Sequence, residues 1–290
     1  MMKKIRRLFA GTKTEDSSQP SSSRPLLTPG VYGRFPDVFS VSFAWHSDNR
    51  SSSTYFLVDE TLDGSNGSSS SSSQGVRGNA SEQTVRRLYA FVVERQRRTR
   101  HSLTLLAGTN VDGGSPPLAL AGAGSTSTSV VALPGAPGAV SDKRVETLHH
   151  DGTLRSGLKR FLFRVAVGDG DGDGDGAEEP FEWHIATATG RGGRLAPLVL
   201  EHRLLRMESP AMGGTAELVG LWTDDASPMR GNRLGAFEFA GSGKERGEMG
   251  GYWRLMAVVS LLRILEIRSA AGTVSGMARN VGWLGGIGLV

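Results

Sequence analysis

Apolar and polar residues alternate with a period of two through most of this chain, and then give way to a run that has no polar face. In residues 38–45, Phe39, Val41, Phe43 and Trp45 share one side and Ser40, Ser42 and Ala44 the other, the signature of a half-buried strand. A second short run, 54–58, follows a polar connection and reads as its hairpin partner. Residues 88–93 predict a strand, with a helical turn over 85–95 as the alternative. Residues 101–106 alternate weakly, 130–133 are the only strand expected within a Gly/Pro/Ala/Ser stretch, and 145–149 suggest another. From residue 158 the pattern sharpens: Phe161, Phe163, Val165 and Val167 alternate with Leu162, Arg164 and Ala166, and Phe181, Trp183 and Ile185 alternate with Glu182, His184 and Ala186. Residues 198–207, 217–223 and 233–239 complete the series, separated by glycine-rich turns.

Residues 251–270, GYWRLMAVVSLLRILEIRSA, break this rhythm. Trp253, Leu255, Met256, Val258, Val259, Leu261, Leu262, Ile264, Leu265 and Ile267 cannot share one stripe of a helix, so the helix is either enclosed by protein or placed in a membrane. A span needs about 20 predominantly apolar residues. Here Arg254, Arg263, Glu266 and Arg268 interrupt the run, which favours enclosure. The expectation is that 255–267 is buried and that Arg254 and Arg268 reach solvent at the two ends. Some ten to twelve short strands followed by one apolar helix fit a closed barrel with the helix inside better than a sandwich, which has no need of such a helix. Trp45, Trp183, Trp222 and Trp253 then read as core.

Composition sets the domain limits. Glycine is abundant (40 of 290 residues) and serine runs unbroken from 68 to 73. These residues concentrate in segments that cannot pack. The expected organisation is a basic, Ser/Pro-rich tail over 1–34, one barrel domain over 35–270 with low-complexity inserts near 63–78, 108–128 and 168–180, and a Gly-rich tail over 271–290. Cysteine is absent, which excludes disulfides, thiolate metal sites and cysteine nucleophiles.

The net charge of +4 permits contact with phosphates or anionic lipid without requiring it. Arg95, Arg97, Arg98 and Arg100 form the densest basic run, read as a solvated strand end or, more sharply, as a lipid-headgroup or phosphate patch. No aromatic residues interleave with them, so nucleic acid is not expected as a partner. At the start of the chain Lys3, Lys4, Arg6 and Arg7 surround Ile5, Leu8 and Phe9, a membrane-contacting peptide at best and otherwise an untethered tail. No apolar segment follows them, so no secretory signal is expected.

Catalytic motifs do not emerge. Asp171, Asp173, Asp175 and Gly176, with Glu182 beyond, satisfy the spacing of a calcium loop. Glu178 occupies an apolar position of that motif, however, Pro180 opposes a helical exit, and both flanks read as strands. A Gly-Asp repeat produces this spacing by accident. His149 and His150 lie on opposite faces of one strand, and Asp224 and Asp225 read as solvated turn carboxylates. No cofactor is implied.

The hairpin FLFRVAV…FEWHI, then ELVGLW, LGAFEF and the closing GGYWRLMAVVSLLRILEIRS resemble the tubby C-terminal-like superfamily, which includes tubby proteins, phospholipid scramblases and LURP-one-related proteins. The resemblance covers about 35–270 and is strongest over 161–268. It implies a roughly twelve-stranded antiparallel barrel around a hydrophobic C-terminal helix. It also implies an intracellular protein, some relatives of which bind lipid headgroups or membranes. The expectation for this chain is a non-enzymatic, cytoplasmic monomer, peripheral at membranes at most. No residue of the family's headgroup site can be matched here. A protein-interaction scaffold is the alternative function.

Overall fold

The computed structural model describes residues 27–28, 30–44, 52–60, 86–96, 100–112, 114–125, 127–136, 141, 143–151, 160–168, 177–188, 199–207, 215–225 and 232–270. Twelve antiparallel strands close into a barrel: β1 (Val38–Ala44), β2 (Ser52–Asp59), β3 (Arg87–Gln96), β4 (Arg100–Leu106), β5 (Pro117–Ser125), β6 (Thr128–Pro134), β7 (Lys143–Asp151), β8 (Arg160–Ala166), β9 (Glu178–Ala188), β10 (Val199–Arg206), β11 (Glu217–Asp224) and β12 (Arg233–Phe239). Each strand pairs with its sequence neighbours, and β1 pairs with β12 to close the ring, Phe39 opposite Phe237. Closure leaves no unpaired edge.

A 3-10 turn, Gly241–Lys244, leads into α1 (Arg246–Ala270), which runs inside the barrel. The helix is broken at Gly250, whose φ of 75° lies in the left-handed region. Only glycine adopts that conformation without strain, and a Cβ there would also collide with the carbonyl of Gly168. The break turns the chain from the rim into the barrel. From Trp253 to Leu265 every residue is buried, Trp253, Leu255, Met256, Val258, Val259, Leu261, Leu262 and Ile264 completely. This is the enclosure that the helix's all-round apolar character demands. No helix among the described residues is long and apolar enough to cross a membrane.

The space between wall and helix is filled mainly by aromatic rings on inward strand positions. Phe163 stacks on Phe181, Trp253 of the helix meets both Phe181 and Phe239, and Phe237 meets Trp183. Small residues make room where rings are large: a Cβ at Gly235 would lie 2.5 Å from the Trp222 ring. Trp183, Trp222 and Trp253 are fully buried, as expected; Trp45 lies outside the described residues.

Three boundaries differ from the sequence expectation. Strand β5 occupies residues 117–125 of the stretch read as the insert 108–128. It gives Leu118, Ala119 and Ala121 to the core, and α1 packs chiefly against β5, β6 and β8, so the two alanines serve here by admitting the helix closely. Strand β9 begins at Glu178, shortening the insert 168–180. The leading tail does not extend to residue 34: Leu27 is buried, Gly30 donates its backbone N–H to the Gly135 carbonyl, and Tyr32 sits edge-on to Tyr252. Residues 88–93 lie within β3, as the strand reading expects, and the described part of 85–95 makes no helical turn.

Candidate functional site

The strands alternate in direction, so each barrel rim is defined by six strand ends. The helix enters at the rim where β12 ends and leaves at the opposite rim, where β11 ends and β6 and β12 begin. Polar side chains gather just inside the exit rim. Arg263 donates through Nε to Ser129 Oγ on β6 (3.1 Å) and pairs with Glu266 one turn on. Arg268 contacts His202 Nε2 on β10 and lies 3.7 Å from the Asp224 carboxylate at the end of β11. Trp222 donates its indole N–H to the same carboxylate (2.6 Å). His150 of β7 packs against Phe161 and faces Arg263.

Contrary to the sequence expectation, Arg254 and Arg268 do not reach solvent. Arg254, Arg263, Glu266 and Arg268 are each 4–6% exposed. Among the described residues, Arg263 and Arg268 thus face the carboxylates of Glu266 and Asp224 inside the exit rim, as buried charges need partners. Asp224 is likewise no solvated turn residue. Burial raises its carboxyl pKa, against the opposing pull of Arg268 and of the Trp222 hydrogen bond. Burial lowers the pKa of Arg263 and Arg268, which Glu266 and Asp224 respectively counteract. His202 is held well below the usual histidine value by burial first and by Arg268 second. A guanidinium can only donate, so His202 Nε2 is the acceptor and the ring proton resides on Nδ1.

A neutral histidine beside an Asp–Arg pair has the makings of a general base. Here, however, Nε2 is occupied by Arg268 and the ring has no exposure. The cluster acts as a clamp on the helix end. Arg254 does the same near the entry rim, donating to the carbonyls of Phe35, Gly243 and Lys244 and to Asp37, with its guanidinium 4.5 Å above the Phe239 ring. Arg206, at the end of β10, grips Glu179 with two hydrogen bonds of 2.5 and 2.8 Å and reaches Glu248 of α1. No sequence signal marks the long-range contacts of these clamps, Arg254 with Asp37, Arg263 with Ser129, Arg268 with His202 and Arg206 with Glu179, because they join residues remote in the chain.

The sequence-derived candidates fall as follows. Arg95 pairs in register with His101, and Arg100 with Gln96, across the β3–β4 hairpin. This puts the backbone of residues 95, 96 and 100 at the exit rim; Arg97 and Arg98 lie outside the described residues. So do Lys3, Lys4, Arg6 and Arg7, and Asp171, Asp173 and Asp175. Glu182 is on β9, where its carboxylate is taken by Arg160 at 2.9 Å and His184 at 2.8 Å. Among the described residues no group of three His, Asp or Glu side chains could hold a metal ion. His184 and His202 are on adjacent strands but opposite faces: His202 points inward and pairs with Ile185, while His184 pairs with Arg203 on the outer wall. No family model, curated protein or solved structure matches this chain.

Proposed function

We propose that this barrel is a non-catalytic binding module that docks its helix-exit rim on an anionic membrane surface. The observation that carries this reading is the alternation of strand ends between the two rims, set beside the charges that the sequence writes into the connections between them. Connections joining strand ends at the exit rim contain Arg50, Arg97, Arg98, Arg155, Lys159, Arg191, Arg194 and Arg230 against Asp48 and Asp225. Those at the entry rim contain Glu60, Asp63, Glu82, Asp112, Asp142, Asp169, Asp171, Asp173, Asp175 and Glu208 against Arg77 and Arg86. The small net charge of the whole chain conceals this division. Its consequence is a field that orients the molecule, basic rim first, toward an anionic surface.

Two features support the reading further. The interior is committed to packing around α1, which leaves the outside for ligands. Arg160, the first residue of β8, is also largely exposed at the exit end. The barrel-and-helix architecture is the one implied by the resemblance to the tubby-like superfamily, some of whose members bind headgroups.

Co-sedimentation with phosphatidylserine-containing and pure phosphatidylcholine vesicles, at low and high salt, tests it. Retention is expected on the anionic vesicles only and should weaken with salt, because exposed charges are screened over about 10 Å at 0.1 M. Arg97→Glu combined with Arg98→Glu should reduce it severalfold, since each basic residue near such a surface contributes about 1 kcal/mol. Neutralising Asp171, Asp173 and Asp175 at the other rim should not reduce it. Equal retention on neutral vesicles would overturn the reading.

A further inference from the structure

We propose that the last two turns of α1, residues 263–270, form an acid-released latch: protonation of His202 and His150 sets a second cation against Arg268 and Arg263, and this end of the helix leaves the barrel while the wall stays closed. Both histidines face inward, His202 from β10 and His150 from β7, and each meets an arginine of α1. A guanidinium has only donors, and so has an imidazolium. The Arg268–His202 hydrogen bond therefore exists only while Nε2 carries no proton. The Nδ1 atoms of both rings are buried without a hydrogen-bond partner among the described residues. A charged His202 thus offers two N–H groups to no acceptor, and a charged His150 at least one. The carboxylates of the cluster are engaged elsewhere: Asp224 accepts from the Trp222 indole and faces Arg268, and Glu266 is taken by Arg263. Opposite His202 stand the uncharged Ile185 of β9 and Trp222 of β11. Opposite His150 stands Phe161 of β8, with Arg160 next to it paired to Glu182, while β6 brings Thr128 and Ser129 alongside. Its neighbours on β7, His149 and Asp151, are exposed. Burial and the two arginines already hold both rings below the ordinary histidine value.

The wall does not depend on this end of the helix. Strands β1 to β12 close into a ring through their own backbone hydrogen bonds. Residues 263–270 are tied to that ring by side chains, Arg263 to Ser129 and Arg268 to His202 and Asp224. They also hold Arg263, Glu266 and Arg268, whereas 255–262 carry no charge and are fully buried. Opening is therefore confined to the charged end. So short a segment cannot hold a helix in water by itself, so release also unwinds it and brings Ile264, Leu265 and Ile267 to the exit rim. The inference is independent of membrane docking.

Native-state hydrogen exchange of the full chain, read by mass spectrometry, tests it. Labelling is done at pH 7.5 and 5.5, with times scaled to the intrinsic exchange rate, and with increasing urea below the unfolding transition. Local opening exposes little surface and is almost independent of urea, whereas global unfolding depends on it steeply. Amides 264–270 are expected to be less protected than 255–262 and insensitive to urea. Their protection should fall between the two pH values by up to about tenfold for each histidine that ionises near 6.5 only once released. His202→Gln, which still accepts from Arg268 but cannot ionise, should remove most of that fall, and His150→Gln in the same chain the rest. Circular dichroism confirms that each variant is folded, and His202→Asn replaces a glutamine variant that is not. Protection and urea slope equal to those of 255–262, or an unchanged pH dependence in the histidine variants, would each overturn the proposal.

Discussion

Trp183, on β9, donates its indole N–H across 2.9 Å to the hydroxyl of Ser260, near the middle of α1, with both residues fully buried. The hydroxyl in turn donates to the Ala257 carbonyl at 3.0 Å. One polar pair in an otherwise apolar annulus thus ties the helix to one strand and one height. Ser260→Ala should destabilise the protein by about 1–3 kcal/mol, because the indole N–H is left buried without a partner. Trp183→Phe in that background should cost less than in the parent. A double-mutant cycle of urea unfolding measures the difference, and strictly additive losses would contradict the coupling.

The Arg263–Glu266 pair predicts an asymmetry. Glu266→Leu alone takes the Glu266 carboxylate away from a buried guanidinium, and removal of one partner of such a pair costs about 3–5 kcal/mol. Joint replacement, Arg263→Met with Glu266→Leu, should recover most of that loss. Chemical denaturation of the two variants decides it: a double variant no more stable than Glu266→Leu would show that the cluster does more than neutralise itself.

Acid should weaken the fold through its histidines. His202 ionises near 6.5 when unfolded, but only at distinctly lower pH when folded. The unfolded chain therefore takes up the proton first. Stability is expected to fall as pH drops below about 6.5, by up to ~1.4 kcal/mol per pH unit per histidine, until the folded-state value is reached. His150 acts in the same direction, through burial and then Arg263. Asp224 opposes them at the acid end, because its raised pKa lets the folded state protonate before the unfolded one. Urea midpoints at pH 7.5, 6.5 and 5.5 should decline in the parent and decline less in His202→Gln, which still offers Arg268 an acceptor. Identical slopes would exclude His202 as a source.

Gly250→Ala should cost about 1–3 kcal/mol, because it places a side chain at φ 75° and against the Gly168 carbonyl. Gly251→Ala, one residue on, has only ordinary contact with Tyr32 at 3.4 Å and should be tolerated. Thermal unfolding of the two variants makes the comparison, and equal effects would remove the special role of the helix break.

Which parts of the molecule can be read from the chain follows from how far apart the cooperating residues lie. Period-two alternation such as Phe161, Phe163, Val165 is a local property, and it marks a strand with one buried face wherever it stands. The all-round apolar surface of residues 253–265 is equally local and demands enclosure by itself. Strand β5 escaped notice because its inward Ala119 and Ala121 are small to suit a helix more than 130 residues away. The buried positions of Arg254, Arg263 and Arg268 escaped for the same reason: an isolated arginine belongs at a surface, and these become tolerable inside only when folding delivers Asp37, Ser129, His202 and Asp224 to them. The charges of the strand connections are written in the sequence residue by residue. Which strand ends meet at which rim is decided only by the closed barrel, whose antiparallel strands send successive ends to opposite sides.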